Sequence, residues 1–177
     1  MAEKLDINKL CSILDITAIG NANAKEIEDK FSKYKTLPQF GPLLLTIACN
    51  NENKFSNEIS LNASIQLKNY INSYWRYGDD PEINQSLSFD NEQIVVISNE
   101  DKNYIRQNIL EGIIYIVGKE NIKILKQFNQ CAKKILKLDY KSIWRNAFND
   151  CIIKCFNSQD QKIIYSGIML LYQLSKI

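Results

Sequence analysis

Ile59-Ser60-Leu61-Asn62-Ala63-Ser64-Ile65-Gln66-Leu67-Lys68-Asn69-Tyr70-Ile71-Asn72-Ser73-Tyr74-Trp75 is the stretch that decides the fold. Ile59, Ala63, Leu67, Tyr70, Ile71 and Tyr74 recur at spacings of three and four, the period of a helix that buries one face. Lys68, Asn69 and Asn72 fall between them, on a polar face by the same spacing. A second helical pattern precedes it, with Phe40, Leu44, Ile47 and Ala48 on one stripe, and more follow. A row of amphipathic helices with short connections folds into antiparallel neighbours that bury their stripes on one another.

Working outward, the sequence predicts eight helices. The first runs near Asp6 to Ile16 and the second near Asn23 to Lys35, with Gly20-Asn21 breaking the helix between them. Pro38 and Pro42 suit the start of the third, where a missing N–H costs little. The fourth is the opening stretch. The fifth opens at Ser98-Asn99-Glu100-Asp101, a capping box with Asp for Glu, and Gly118 ends it. Its stripe is Ile105, Ile109, Gly112, Ile113, Ile116 and Val117. The sixth covers about Asn121 to Leu136 and the seventh about Lys141 to Phe156. The eighth follows the capping box Ser158-Gln159-Asp160-Gln161, with Ile164, Gly167, Ile168 and Leu171 as its stripe. Between the fourth and fifth, residues 76–98 form a loop insertion with turn chemistry at Gly78-Asp79-Asp80-Pro81. Its apolar run Ile94-Val95-Val96-Ile97 reads as an extended cover over neighbouring helices, with a lone strand as the alternative.

The helices pair into hairpins of about 40 residues, the period of HEAT or armadillo units. The expected fold is all-α: an α-solenoid of HEAT-type helix hairpins with four repeats, about 5–36, 39–75, 99–137 and 141–177. The last helix stays apolar to Ile177, with no polar capping face of the kind a solenoid end needs. The sequence therefore reads as the N-terminal piece of a longer chain.

Composition removes several function classes. Net charge is +2 in 177 residues, which implies no strong electrostatic partner for the chain as a whole. Only 6 Gly and 3 Pro argue against a turn-rich β fold. His is absent, so imidazole bases, Ser-His or Cys-His nucleophiles and imidazole metal ligands are absent with it. The 5 Cys show no repeated CxxC pattern. Cys151 and Cys155 share a helix turn, but a structural zinc needs two further ligands, so they read as buried thiols. Trp75, Trp144, Tyr70, Tyr74 and Tyr172 read as packing residues. No nucleotide-binding glycine motif is present, so the chain is expected to be no enzyme and to use no cofactor or metal. It shows no membrane span. Lys119, Lys123, Lys126, Lys133, Lys134, Lys137, Lys141 and Arg145 make the sixth-helix region basic, most simply a solvated face. The thin aromatic interleaving speaks against nucleic acid.

Three segments carry a family resemblance. Phe40-Gly41-Pro42-Leu43-Leu44-Leu45, followed by Ala63 and Leu67-Lys68-Asn69 through Trp75, is similar to the N-terminal signature of the importin-β superfamily of nuclear transport receptors (karyopherins). Ile105-Arg106-Gln107-Asn108-Ile109-Leu110-Glu111-Gly112-Ile113-Ile114 and Leu170-Leu171-Tyr172-Gln173-Leu174 resemble most the branch containing importin seven and importin eight. That branch carries a Pro after the sixth helix; here Asp139-Tyr140-Lys141 has none.

The resemblance implies a receptor that binds the GTP form of the small GTPase Ran through the second helices of its first repeats. Lys68 and Asn69 occupy the family's Lys-Asn positions, and Asn72 lies one turn on, so the three are the candidate Ran-binding residues. Their plainer reading is a solvated charge and a local backbone bond. The resemblance also implies protein cargo, nucleoporin contacts mostly through later repeats, and residence in cytoplasm, nucleus and nuclear pore. Import is favoured over export by the second and third segments. An exportin, or a cytosolic HEAT-repeat scaffold without Ran binding, is the alternative.

Overall fold

The computed structural model describes residues 5–19, 24–76, 95–140, 143–146, 149, 153 and 155–175. The expected break at Gly20-Asn21, most of the 76–98 loop and Cys151 lie outside the described residues. The fold is all-α and built from HEAT-type helix hairpins, and no strand occurs among the described residues. The helices are α1 (Ile7–Ile19), α2 (Ala24–Lys35), α3 (Phe40–Cys49), α4 (Asn57–Tyr74), α5 (Asn99–Gly118), α6 (Ile122–Asp139) and α7 (Gln161–Leu174). Only parts of the expected seventh helix are described: Asn149, Ile153, Cys155 and Phe156 are helical, and the Asn157 N–H donates to the Ile153 carbonyl at 3.1 Å. The chain divides into two compact units, residues 1–105 and 106–177.

In the first unit α3 lies along α4, and α1 packs on α4 as well. Leu10, Leu14, Phe31, Phe40, Leu44, Ile47, Leu67, Ile71 and Trp75 form its core, all at most 1% exposed. Phe40 meets Phe31 and Tyr70 edge-on, with centroids 6.4 and 5.0 Å apart, the offset geometry aromatic quadrupoles prefer. Asn50 closes the α3–α4 hairpin. Its backbone is left-handed (φ 48°), and its side-chain amide donates to the Phe55 carbonyl at 2.7 Å while accepting the Phe55 N–H at 3.0 Å. An Asn tolerates that conformation and replaces the missing backbone turn with its own side chain. Ser56 then caps α4 by accepting the Ile59 N–H at 3.2 Å.

Val95 and Ile97 are buried while Val96 is 49% exposed, with no regular secondary structure. That alternation fits the extended cover expected there.

In the second unit, α6 buries Ile124, Phe128, Cys131, Ala132, Ile135 and Leu136. The Arg106 Nε donates to the Asp139 carboxylate at 2.7 Å, joining α5 to the end of α6 with both side chains buried.

Two local expectations are corrected. Ser98 does accept the Asp101 N–H at 3.1 Å, but the Asp101 carboxylate completes no reciprocal box. It reaches across instead to accept the Gln39 N–H at 2.9 Å. The cap of α7 is Asp160, not Ser158: its carboxylate takes the Lys162 N–H at 2.8 Å, and Ser158 only supports the Asp160 N–H at 3.0 Å. Gly118 ends α5 as expected, and the left-handed residue of the following turn is Glu120 (φ 57°).

The buried face of α7 is also rotated by about a quarter turn from the expected stripe. Ser166, Gly167 and Leu170 are buried, whereas Ile168 is 50% exposed and Tyr172 53% exposed, so Tyr172 is no packing residue among the described ones. The cause is a close approach. A Cβ on Gly167 would lie 2.5 Å from the Cys155 Cβ, so only the small side of α7 can face that helix.

Candidate functional site

The predicted site residues all lie on α4. One face of this helix buries Ser60, Ala63, Ser64, Leu67, Tyr70 and Ile71. The Asn62 Nδ2 donates to the Leu14 carbonyl at 3.2 Å, which ties α4 to α1. The Tyr70 ring sits against Phe40 and Tyr74, and its hydroxyl points to the Lys35 carbonyl at 3.5 Å. Burial, aided by the nearby Asp101 carboxylate and Tyr74, pushes the Tyr70 phenol well above its ordinary range, so it stays neutral. α4 is thus fixed in rotation by its apolar side.

What remains is a polar face. Lys68 is half-buried, and Asn69 and Asn72 are exposed. At about 100° per residue the three fall within an arc of roughly 100°, opposite the buried stripe. Lys68 and Asn72 are one turn apart, as are Asn69 and Asn72, which sets their Cβ atoms about 5–6 Å apart. Among the described residues none of the three side chains takes part in a hydrogen bond or ion pair. The local alternative for Asn69, a bond to neighbouring backbone, is therefore not realised. The arrangement presents one ammonium and two amides on a rigid element, a set suited to carboxylate and carbonyl groups of another polypeptide.

Sequence reasoning missed Arg76. It lies seven residues after Asn69, just past the Trp75 cap, which is still right-handed helical (φ −58°, ψ −34°). It is exposed and extends the same face with a second cation. The signal was the two-turn spacing from Asn69, obscured by the turn residues that follow.

No group of three or more His, Cys, Asp or Glu that could hold a metal occurs among the described residues. Cys11, Cys49, Cys131 and Cys155 form no disulfide among the described residues. The Cys11 thiol is pushed up by burial and by Asp6, which leaves it less thiolate character than an ordinary cysteine. No helix among the described residues is long and apolar enough to cross a membrane.

Comparison with known proteins agrees with this architecture. The family model "Importin-beta N-terminal domain" matches residues 27–115, half of the chain, and its span includes all of α3 and α4. Importin-8 of Homo sapiens is 27% identical over 172 residues, covering 97% of this chain and 15% of the human protein. Importin-8 of Mus musculus is 26% identical over 172 residues, covering 97% of this chain and 16% of its own length. The chain therefore spans about 15% of the length of these curated relatives. By the family model and by its helix hairpins, the chain belongs to the importin-β N-terminal domain family of nuclear transport receptors.

Proposed function

We propose that this chain is the Ran-binding part of a nuclear import receptor, and that the polar face of α4 reads the GTP form of Ran. Lys68, Asn69 and Asn72 make the contact, and Arg76 extends it. The observation that carries this reading is the unengaged ammonium and amide set on a helix whose rotation is locked by its buried side. A switch loop is ordered only when the γ-phosphate is present. A rigid face that touches the ordered loop gains affinity for the GTP state by differential contact, and nothing more is needed for a nucleotide-dependent switch.

The family membership supports the rest of the reading. The chain supplies four hairpins, about 5–36, 39–75, 99–137 and 141–177, without catalysis of its own. Cargo and nucleoporins engage the receptor mainly elsewhere, and it shuttles between cytoplasm and nucleus. Import is favoured over export because the relatives found are named as importins.

Calorimetric titration against Ran loaded with GTP or GDP tests the proposal. The GTP form should bind, the GDP form at least tenfold more weakly. Lys68→Glu should cost about tenfold or more, since it sets like charge against an acidic or carbonyl-rich loop. Its helical circular dichroism should be unchanged, because Lys68 lies outside the buried stripe. Equal binding of both nucleotide states would overturn the reading. Wild-type affinity in Lys68→Glu would remove Lys68 from the site.

A further inference from the structure

We propose that the lysine face of α6 is a docking surface for an extended acidic polypeptide segment. Lys123, Lys126, Lys133 and Lys137 are exposed and Lys134 is half-buried. Their positions fall within an arc of about 100° on the helix. The opposite face is the buried stripe around Phe128 and Ile135.

Among the described residues no ion pair compensates the charge on this face. The chain as a whole is nearly balanced, with 22 Lys and Arg against 20 Asp and Glu. α6 has a single carboxylate, Asp139, and it is buried against Arg106. Glu120, just before the helix, is engaged by Lys162 at 2.9 Å. Among the described residues none of the five lysine side chains takes part in an ion pair or hydrogen bond.

The fold gains little from this pattern, since only Lys137, in the last turn, favours the helix dipole. Lys123 and Lys126 stand in the first turns of α6, where the positive end of the helix dipole disfavours cations. Like charges three and four residues apart repel by about 0.2–0.5 kcal/mol per pair. Glutamine at positions 123 and 126 would serve α6 at least as well. A stripe that opposes its own helix is accounted for by an anionic occupant.

The chemistry of the face selects that occupant. From Lys123 to Lys137 the axial distance is about 21 Å at 1.5 Å per residue. An extended chain of six or seven residues spans it at about 3.3 Å per residue. Single-stranded nucleic acid would need aromatic platforms for its bases. The one aromatic residue of α6, Phe128, is fully buried on the other side. Carboxylates ask for cations alone, and this face offers only lysines and the amide of Gln130 beside them.

The proposal is independent of Ran binding by α4. Its test is fluorescence anisotropy with a fluorescein-labelled hepta-glutamate peptide titrated with the chain at low salt. Saturable binding that weakens as salt rises is expected. The variant K123Q/K126Q/K133Q/K137Q should lose at least tenfold in affinity. The control K9Q/K30Q/K33Q/K54Q removes the same charge from the first unit and should stay within twofold of wild type. The α6 variant should melt no lower than wild type, because repulsion is relieved; if it fails to fold, K126Q/K133Q takes its place with a loss of at least threefold. Absence of saturable binding, or equal losses in both variants, overturns the proposal. So does a uridine oligonucleotide of equal charge that binds more tightly through the same lysines, since the face would then be a nucleic-acid site.

Discussion

At the scale of single residues, two glycines with opposite surroundings show what the packing demands. A Cβ at Gly41 would lie 2.8 Å from the Ile105 Cδ1 and 3.1 Å from the Tyr70 Cε1. The ring of Tyr70 is held on its other contacts by Phe40 and Tyr74, so it cannot retreat far. Ile105 can move only its terminal methyl. Gly41→Ala should therefore destabilise the fold by about 1–2 kcal/mol, the ordinary cost of overpacking a core with one methyl. Gly118 is the contrast: it is helical, with a negative φ, and a Cβ there would meet nothing within 4 Å. Gly118→Ala should stabilise by about 0.5–1 kcal/mol, since alanine loses less backbone entropy on entering a helix. Urea denaturation of both variants checks the pair. The result that would refute this account is the same sign of change in each. Gly41 sits inside the Phe40-Gly41-Pro42 signature, so a sequence motif and a steric requirement coincide there.

At the scale of elements, the tie between α3 and α5 is a carboxylate. Asp101 is 5% exposed and accepts the Gln39 N–H, at the left-handed residue (φ 67°) that starts α3. Burial raises the Asp101 carboxyl above its ordinary 3.8, with Glu100 adding to it, and the bonds from Gln39 and Ser98 only partly offset this. A carboxyl whose folded pKa is raised binds protons more tightly in the native state than in the unfolded chain. Stability from this group is thus present at low pH and is lost as pH rises from 3.8 through the folded value. Asp101→Asn keeps an oxygen for the Gln39 N–H and removes the titration. Its stability should fall less than wild type's over that acidic window, measured by denaturation at a series of pH values; an unchanged slope would refute the assignment. This contact also marks the limit of what the sequence disclosed. The spacing of apolar residues located α1 to α6 to within a few residues, because burial of one face dictates the helical period. The same period placed Lys68, Asn69 and Asn72 on one face of α4. It could not reveal that Asp101 would abandon its own capping box for Gln39, 62 residues earlier in the chain. Nor could it show that Lys102 would be fully buried with its ammonium 6.0 Å from the Trp75 ring. A polar residue's partner depends on which helices meet, and periodicity records only which face is hidden. α7 failed for a related reason: the contact of Gly167 with Cys155 turned the helix, and no apolar spacing encodes a close approach.

At the scale of the whole molecule, α5 serves both compact units, with residues up to Ile105 in the first and those from Arg106 in the second. Its early turns hold α3 through Asp101 and Ile105, and its later part holds α6 through Arg106. In a chain of stacked hairpins, stability is close to a sum of local terms and nearest-neighbour contacts. Damage to one contact should then stay near it. Asp139→Asn tests this directly. The substitution removes the negative charge opposite a buried guanidinium, and breaking such a pair from one side costs about 3–5 kcal/mol because the other charge stays buried. The Asp139 carbonyl still accepts the Ile143 and Trp144 N–H groups, each at 2.9 Å, so the end of α6 keeps its backbone bonds. The loss is therefore one of charge pairing between α5 and α6, not of a helix terminus. Native-state hydrogen exchange should show reduced protection in α6, α7 and the part of α5 after Arg106, while amides of α3 and α4 keep their wild-type rates. A uniform fall in protection across residues 24–175 would mean that the chain opens as one cooperative block, with no energetic boundary near Ile105. If the boundary holds, a ligand on α4 stabilises mainly the first unit and an acidic segment on α6 mainly the second, so the two can be separated by where protection rises.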